Sequence, residues 1–481
     1  MEIRLTYILI SILLCCSSIH AQEAFYRTYA GSSFDEGHGI AQLADSGYII
    51  TGSTAGFSEA SDVFLTRLNK FGEFEWSKKF GGANSERGNR VFYEEGVGFW
   101  CAGYSNSLTA QSFDFYMFKT DLDGQLEWET VMGTPDWERL HDAIRLPNGD
   151  FVLVGETQGA LSQQEDILVM RVDAAGNQVW VERVQTSGRD LPHAISLLND
   201  TTVVIVGEAY NGTNQAAMLM SMHINGTTNW MNFYEPELHG TFYDVDTYDN
   251  NIYAVGGLIA ATESLPDLWM IRTDKDGVLI YDHLDVRDST AYYGAVEMMG
   301  DGRLYVSIIS DSPSFNPFTD GMDMFVLKYH QNLFWNGFSS SYSGVNDDVF
   351  TQIIPTNDNG VALIGTVSDN RVINSPGTQV TVVKIGENDE FEAVATSDEL
   401  VSVVELADTE VAVFPNPLQE ILAIQTDFNG PIDYLLSNPA GQLIQSGRLE
   451  EGKLDVSQLS PGIYLLTLRL KGQVCTIRLM K

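Results

Sequence analysis

The sequence predicts an all-β repeat protein, and three observations carry that prediction. An aromatic residue recurs at Phe25, Trp76, Trp128, Trp180, Trp230, Tyr281 and Trp335, at intervals of 51, 52, 52, 50, 51 and 54 residues. A glycine stands four residues before the aromatic in five copies, at Gly72, Gly124, Gly176, Gly226 and Gly277. A second glycine column, Gly52, Gly103, Gly155, Gly207, Gly256 and Gly365, closes apolar runs such as Tyr48–Thr51 and Phe151–Val154. Four short runs rich in Val, Ile, Phe and Tyr fall in each unit, broken by Gly, Asn and Asp, which is the pattern of strands and turns. No stretch of the repeat sustains a helical period.

Four antiparallel strands in about 50 residues, repeated, are the signature of a β-propeller blade. A four-stranded sheet has two apolar faces and buries neither alone; stacking sheets around an axis buries both and removes the free ends. In the first unit the strands lie near Ile40–Leu43, Tyr48–Thr51, Val63–Leu68 and Glu75–Phe80. The last set, near Asp347–Ile385, lacks an aromatic strand of its own. Phe25–Tyr29 precedes any partner and aligns with Trp76–Phe80. The expected fold is therefore a seven-bladed β-propeller over 22–393, closed by Phe25–Tyr29 pairing with Val380–Ile385. An open solenoid is the alternative. The sixth unit departs, with Ile308 in the glycine column and Gln331 in place of the turn glycine.

At the N-terminus, Arg4, the apolar run Ile8–Cys16 and Ile19-His20-Ala21 read as a signal peptide over 1–21, cleaved before Gln22. The run is too short to span a bilayer, and no transmembrane segment follows. Only Cys101 and Cys475 remain after cleavage, far apart, so no disulfide is expected. Lys+Arg number 27 against 65 Asp+Glu, a net charge of −38. Such a surface repels nucleic-acid backbones and anionic lipid, and suits solubility, divalent cations or a cationic partner.

Residues 394–410 are acidic and free of the repeat, and read as a linker. From Val411 a separate unit begins, with short strands at Val411–Phe414, Ile421–Gln425, Tyr434–Leu436, Gln442–Gln445, Ile463–Leu468 and Gln473–Leu479. Their alternation favours a small immunoglobulin-like β-sandwich. The unit carries Phe414-Pro415-Asn416-Pro417, then Asn438-Pro439-Ala440-Gly441-Gln442, then Pro461-Gly462-Ile463-Tyr464, and a terminal Lys481. In these features residues 411–481 resemble the C-terminal sorting domain of the Bacteroidota type IX secretion system. The resemblance implies a sorting motif at Pro415, Asn416, Pro417, Pro461, Gly462, Tyr464 and Lys481. It also implies a partnership with the secretion machinery and delivery to the medium or the outer cell surface. The repeats resemble, more loosely, those of other exported propellers, and that likeness brings no active site with it.

Three columns carry polar groups, and the two acidic ones ring one end of the repeat. Fourteen residues before the second glycine column stand His38, Asn89, His141, His193, Phe242, Gly294 and Thr351. They fall near the start of the innermost strand, where imidazoles could converge on a metal. The plainer reading is a structural residue bonded within each blade, and His38, His141 and His193 are expected not to share an ion. Three residues earlier stand Asp35, Glu86, Glu138, Asp190, His239, Ala291 and Asp348; a further column, Asp62, Asp114, Asp166, Asp267 and Asp323, opens the third strand. Asp35, Glu86, Glu138, Asp190 and Asp348 are candidate calcium ligands, or each carboxylate bonds amides of its own turn. Asp121-Leu-Asp-Gly124 and Asp274-Lys-Asp-Gly277 lack the spacing of an EF-hand and read as hairpin turns. No nucleophile elbow, zinc-protease or phosphate-loop motif is present. The expected function is an exported binding or scaffold protein without a cofactor, its ligand an extracellular glycan or protein. A polysaccharide hydrolase or lyase using carboxylates of the ringed face is the alternative. An enzyme would break the repeat in one pocket, and the insertion Asp311–Asp323 is the candidate break.

Overall fold

A computed structural model describes residues 24–391 apart from 31–33, 56–60, 108–111, 160–163, 236–237, 260–265, 286–290, 311–322, 343–347 and 369–377. It further describes 396–399 and 411–480, apart from 415–420, 427–432, 438–442, 450–451, 461–462 and 471–472. The signal segment and the insertion 311–322 lie outside the described residues. So does most of the stretch 394–410. Every regular element among the described residues is a strand.

From Phe34 to Tyr342 the strands form six sheets in chain order, each a four-stranded antiparallel meander. The first holds Phe34–Gln42, Tyr48–Ala55, Ser61–Leu68 and Phe74–Phe80. Five more follow, opening at Glu86–Glu94, Trp137–Arg145, Leu191–Asn199, His239–Tyr248 and Ala291–Met298. A seventh opens at Val349–Pro355, continues through Val361–Val367 and Gln379–Ile385, and takes Phe25–Ala30 as its next strand. The expected closure is present, with Phe25 opposite Lys384 and Tyr29 opposite Val380. The architecture is that of a β-propeller.

The aromatic and turn-glycine columns prove to be two halves of one contact between neighbouring sheets. A Cβ on Gly124 would stand 2.8 Å from the Trp76 ring, on Gly176 2.7 Å from Trp128, and on Gly277 2.9 Å from Trp230. Each outer-strand aromatic thus lies over the turn of the next sheet, and glycine is needed for both the close approach and the left-handed turn, as at Gly124 with φ +74°. The closing strand obeys the same rule: Phe25 lies over Gly72, and Tyr29 Oη donates to the Gly72 carbonyl at 2.6 Å. In the sixth sheet Leu333, φ +61°, takes the turn-glycine place, and its amide bonds the His330 carbonyl as Gly124 bonds Asp121. Trp335 pairs with Tyr329 as Leu126 pairs with Thr120, so Trp335 stands two residues ahead of the aromatic column and Gln331 is not the turn position.

The acidic linker is also corrected. Thr396–Glu399 is a strand that pairs in parallel with the closing strand, from Arg27 opposite Thr396 to Ala30 opposite Glu399. The tail forms two antiparallel sheets, one of Val411–Phe414, Ile421–Thr426 and Lys453–Asp455, the other of Leu443–Arg448, Asp433–Ser437, Ile463–Leu470 and Gln473–Met480. They share a core that includes Leu422, Leu436, Leu454, Tyr464 and Leu466.

Candidate ligand site on the propeller axis

The site begins with a bulge. In the first sheet Gly37 pairs with Gly52 and Gly39 with Thr51, leaving His38 looped out of the ladder. The same slip leaves out Asn89, His141, His193 and Thr351. A bulge pushes a carbonyl toward the partner strand. A Cβ on Gly52, Gly103 or Gly155 would collide with the carbonyl oxygen of Glu36, Arg87 or Arg139 respectively, so the glycine column exists to admit the bulge. The sixth sheet slips differently, from Tyr293 opposite Ile308 to Val296 opposite Val306, and there the column tolerates isoleucine. In the fifth sheet the bulged residue is Tyr243, whereas spacing pointed to Phe242. The cause is a tight turn at Asp249-Asn250, both with positive φ (+48° and +59°), which shortens the hairpin by one residue.

The bulged residues form a ring because successive first strands touch one another. Thr351 Oγ1 donates to the Gly37 carbonyl at 2.9 Å, Arg90 to the His38 carbonyl at 3.2 Å, and Asn89 Nδ2 to the His141 carbonyl at 3.3 Å. The His141 and His193 rings meet edge to face at 5.8 Å, and His193 meets Tyr243 at 5.4 Å. The sixth position is held by Gly294, where a Cβ would stand 2.8 Å from the Phe350 carbonyl oxygen. His38 Nδ1 faces Arg87 Nη2 at 3.3 Å; a guanidinium only donates, so Nδ1 accepts and the proton of the neutral ring sits on Nε2. That Nε2 faces Glu36 Oε2 at 3.3 Å, and the contact with His38 holds the Glu36 carboxyl down to about 2. Among the described residues Asn89 Oδ1 and Arg87 Nε are buried without a hydrogen-bond partner, whereas His38 Nε2 and His141 Nε2 face Glu36 at 3.3 Å and Glu156 at 3.6 Å. Among the described residues no group of three or more His, Cys, Asp or Glu is arranged to hold a metal ion.

In the second, third and fifth sheets the residue that follows the bulge is charged. Arg90 Nε meets Asp142 Oδ1 at 2.6 Å, and Asp142 Oδ2 accepts the Ile195 amide at 2.9 Å. Asp244 accepts the Val296 amide and Asp246 the Met298 amide, each at 2.7 Å, so carboxylates bind sheet to sheet. Burial raises Asp244 to about 7 and Asp246 to about 6, and raises Glu297, beside both, well above the usual range. Burial, reinforced by Arg87 and Arg90, lowers His38 to about 4; burial, with His141 and Arg189 nearby, lowers His193 to about 3. The histidines and the aspartates pull stability in opposite directions between pH 4 and 7. The histidine share is complete above the unfolded value of 6.5 and is lost as pH falls toward 4 and 3. The aspartate share is complete below the unfolded value of 3.8 and is lost as pH rises through 6 and 7. A His38→Gln/His193→Gln variant is therefore expected to gain stability relative to the parent as pH drops from 7 to 4. Urea midpoints across that range check it; a constant difference between the two proteins would refute the neutral-histidine assignment.

The acidic columns do come together, in pairs across sheet boundaries. Asp62 feels Glu86, Asp190 feels Asp166, and Glu138 is hydrogen-bonded to Asp114. Glu86 accepts from the Gly82 amide at 3.0 Å and Ser105 Oγ at 2.8 Å. Glu138 accepts from Thr134 and Thr157, Asp190 from the Thr186 and Tyr210 amides, and Asp348 from the Ser368 amide. Asp35 is equally buried, at 1% exposure. Burial holds Glu138 up to about 7. The oxygens of Glu86, Glu138, Asp190 and Asp348 thus accept hydrogen bonds from their own and neighbouring turns.

Beside the ring, at the boundary of the second and third sheets, lies a platform that the sequence reading missed. The Arg139 guanidinium sits 4.8 Å from the Phe113 ring and 4.9 Å from the Trp137 ring. Tyr104 meets Phe113 edge to face at 5.5 Å. The position just after the glycine column reads Ser53, Tyr104, Glu156, Glu208 and Gly257, so the aromatic there is peculiar to the second sheet. That departure was readable in the aligned column.

In the tail, Tyr464 is buried and its hydroxyl donates to the Ser460 carbonyl at 2.7 Å, fixing the turn before the strand. Pro415, Asn416, Pro417, Pro461, Gly462 and Lys481 lie outside the described residues. Residues 412–481 match a family model described as the secretion system C-terminal sorting domain. No curated protein sequence matches the chain. Solved structures with a similar course include the Neurospora crassa Pan2 WD40 domain, at 12% identity and TM-score 0.42, covering 76% of this chain and 99% of that one. The β-propeller domain of the Trilobed protease from Pyrococcus furiosus, which has an open velcro topology, gives 9%, 0.44, 74% and 94% in the same order. A puromycin hydrolase gives 14%, 0.48, 84% and 61%.

Proposed function

We propose, from the premise that this chain is an exported β-propeller protein with a type IX sorting tail, that it is a binding protein whose ligand enters the axial ring. The sorting tail directs it to the medium or the outer cell surface. In this reading the successive sheets are seven blades of one closed ring, and the tail is an immunoglobulin-like sandwich that engages the secretion machinery. The observation that carries the ligand site is the pair of buried atoms Asn89 Oδ1 and Arg87 Nε, unpartnered among the described residues, between the His38 and His141 bulges of the adjacent blades. Each such group costs about 1–3 kcal/mol when left unmet, and a ligand or ordered water that meets them recovers that cost. The hydrolase alternative fares worse, because its carboxylates Glu86, Glu138 and Asp190 are buried and engaged. The same engagement argues against calcium, and no cofactor enters this reading.

The test is an array of glycans and extracellular proteins probed with the mature full-length chain and with Asn89→Leu, both checked for an unchanged melting profile. Ligands retained by the parent are expected to be lost by the variant. Hits that survive Asn89→Leu undiminished, or a blank array for the parent, would remove the axial ring as the site.

A further inference from the structure

We infer that the outer edge of the fourth sheet binds an extended peptide of another protein as a fifth strand. The peptide carries an apolar residue between two hydroxyl side chains, followed by Lys or Arg. The site is separate from the axial ring and does not depend on it. In the seventh sheet the equivalent place is already filled: Thr396–Glu399 lies in parallel along the closing strand, from Arg27 opposite Thr396 to Ala30 opposite Glu399. The fourth outer strand, Thr228–Tyr234, is built like that closing strand. Trp230 lies over Gly277 as Phe25 lies over Gly72. Tyr234 Oη donates to the Gly277 carbonyl at 2.6 Å, as Tyr29 Oη does to that of Gly72 at 2.6 Å. With these contacts matched, Arg27 corresponds to Asn232 and Ala30 to Glu235. Residues 232–235 are therefore the counterpart of the segment that receives a strand, and among the described residues no strand pairs with their outer edge.

A groove of about 910 Å³, within the size range of ligand clefts, lies at the same place. It is lined by residues 231–234, by Asn211, Thr213 and Asn214 of a turn in the same sheet, and by Gly277 of the fifth sheet. Exposed edge strands are commonly guarded by charge. Lys78 and Lys79 stand on the first outer strand, Glu127 and Glu129 on the second, Glu182 and Arg183 on the third, Asp282 and Asp285 on the fifth. The fourth and sixth carry no such charge, and the groove lies along the fourth.

The lining sets the character of the peptide. Met231 and Phe233 are half-buried against a core shared by the third and fourth sheets, whereas Asn232 Nδ2 and Tyr234 Oη reach the Gly277 carbonyl. A strand laid alongside alternates in the same way. Its residue beside Phe233 covers the exposed part of an apolar side chain, and its residues beside Asn232 and Tyr234 face amide and hydroxyl groups. Glu235, next in line, is exposed and favours a cation opposite it. A second copy suits the edge less well, because each chain carries a net charge of −38 and two of them repel, whereas a cationic segment is attracted.

The experiment titrates the mature full-length protein with a capped, fluorescently labelled peptide, Gly-Ser-Thr-Val-Thr-Lys-Gly-Ser, and reads the anisotropy. Two further peptides accompany it, one with Glu in place of Lys and one N-methylated at the core amides so that it cannot form the ladder. Saturable binding of the first peptide is expected at millimolar concentration or below, with both others at least tenfold weaker. Phe233→Lys supplies the guard that Lys79 gives the first sheet and should abolish binding with an unchanged melting profile. Glu235→Lys should reverse the preference between the Lys and Glu peptides. No saturable binding, binding indifferent to N-methylation or to Phe233→Lys, or a preference that Glu235→Lys leaves in place would overturn the inference. A parent that sediments as a dimer and a Phe233→Lys variant that sediments as a monomer would give the edge to a second copy and overturn the peptide assignment.

Discussion

Removing residues 22–29 is expected to lower the melting temperature of the whole propeller, in one cooperative step, on the order of 10 °C. The closing strand is held on both sides, by Gln379–Ile385 in antiparallel and by Thr396–Glu399 in parallel pairing. Its side chains also divide between two interfaces. Phe25 and Tyr29 join a core with Ile40, Tyr48 and Phe64 of the first sheet, whereas Tyr26 joins one with Tyr305, Val326 and Tyr342 of the sixth. Burying three aromatic side chains contributes about 6 kcal/mol, and the unfolding entropy of a domain this size converts that into a shift of about 8 °C. The loss of closure adds to it, because the strand joins chain ends far apart in sequence. The truncation also bares the edge of Gln379–Ile385, a run whose seven residues are all buried, and should promote oligomers through it. Differential scanning calorimetry and size-exclusion chromatography decide. A truncated protein that melts like the parent and stays monomeric would show that the strand does not close the ring energetically.

Deleting residues 411–481 is expected to abolish delivery to the surface and medium while leaving a folded propeller in the periplasm. The tail has its own core around Leu422, Leu436 and Tyr464, and the match at 412–481 spans that unit and no more. The propeller's closing contacts lie within residues 25–399, so its fold does not depend on the deleted part. Fractionation with an antibody to the propeller, and limited proteolysis of the periplasmic pool, are the measurements. Normal secretion of the truncated chain would refute the assignment, and a degraded periplasmic pool would refute the independence of the two parts.

What the sequence determined alone was everything with a local and repeated cause. Strand and turn positions follow from side-chain type and spacing, and repetition averages out single departures. The pairing of Phe25–Tyr29 with Val380–Ile385 was legible because a missing strand at one end matched a spare strand at the other. The tail was legible in its Pro-Asn-Pro and Pro-Gly-Ile-Tyr segments.

What only the tertiary structure decided depended on register and on neighbours from other sheets. A hairpin one residue shorter, at Asp249-Asn250, moved the fifth bulge from Phe242 to Tyr243, and Leu333 at positive φ moved Trp335 out of its column. The acidic residues changed meaning for the same reason: Glu138 is defined by Asp114, Thr134 and Thr157, which come from two sheets. Thr396–Glu399 carries no strand pattern and forms one because the closing strand offers it an open edge. The axial ring is the sum of these effects, since its members are about 50 residues apart in the chain and become neighbours only once the sheets stand around one axis.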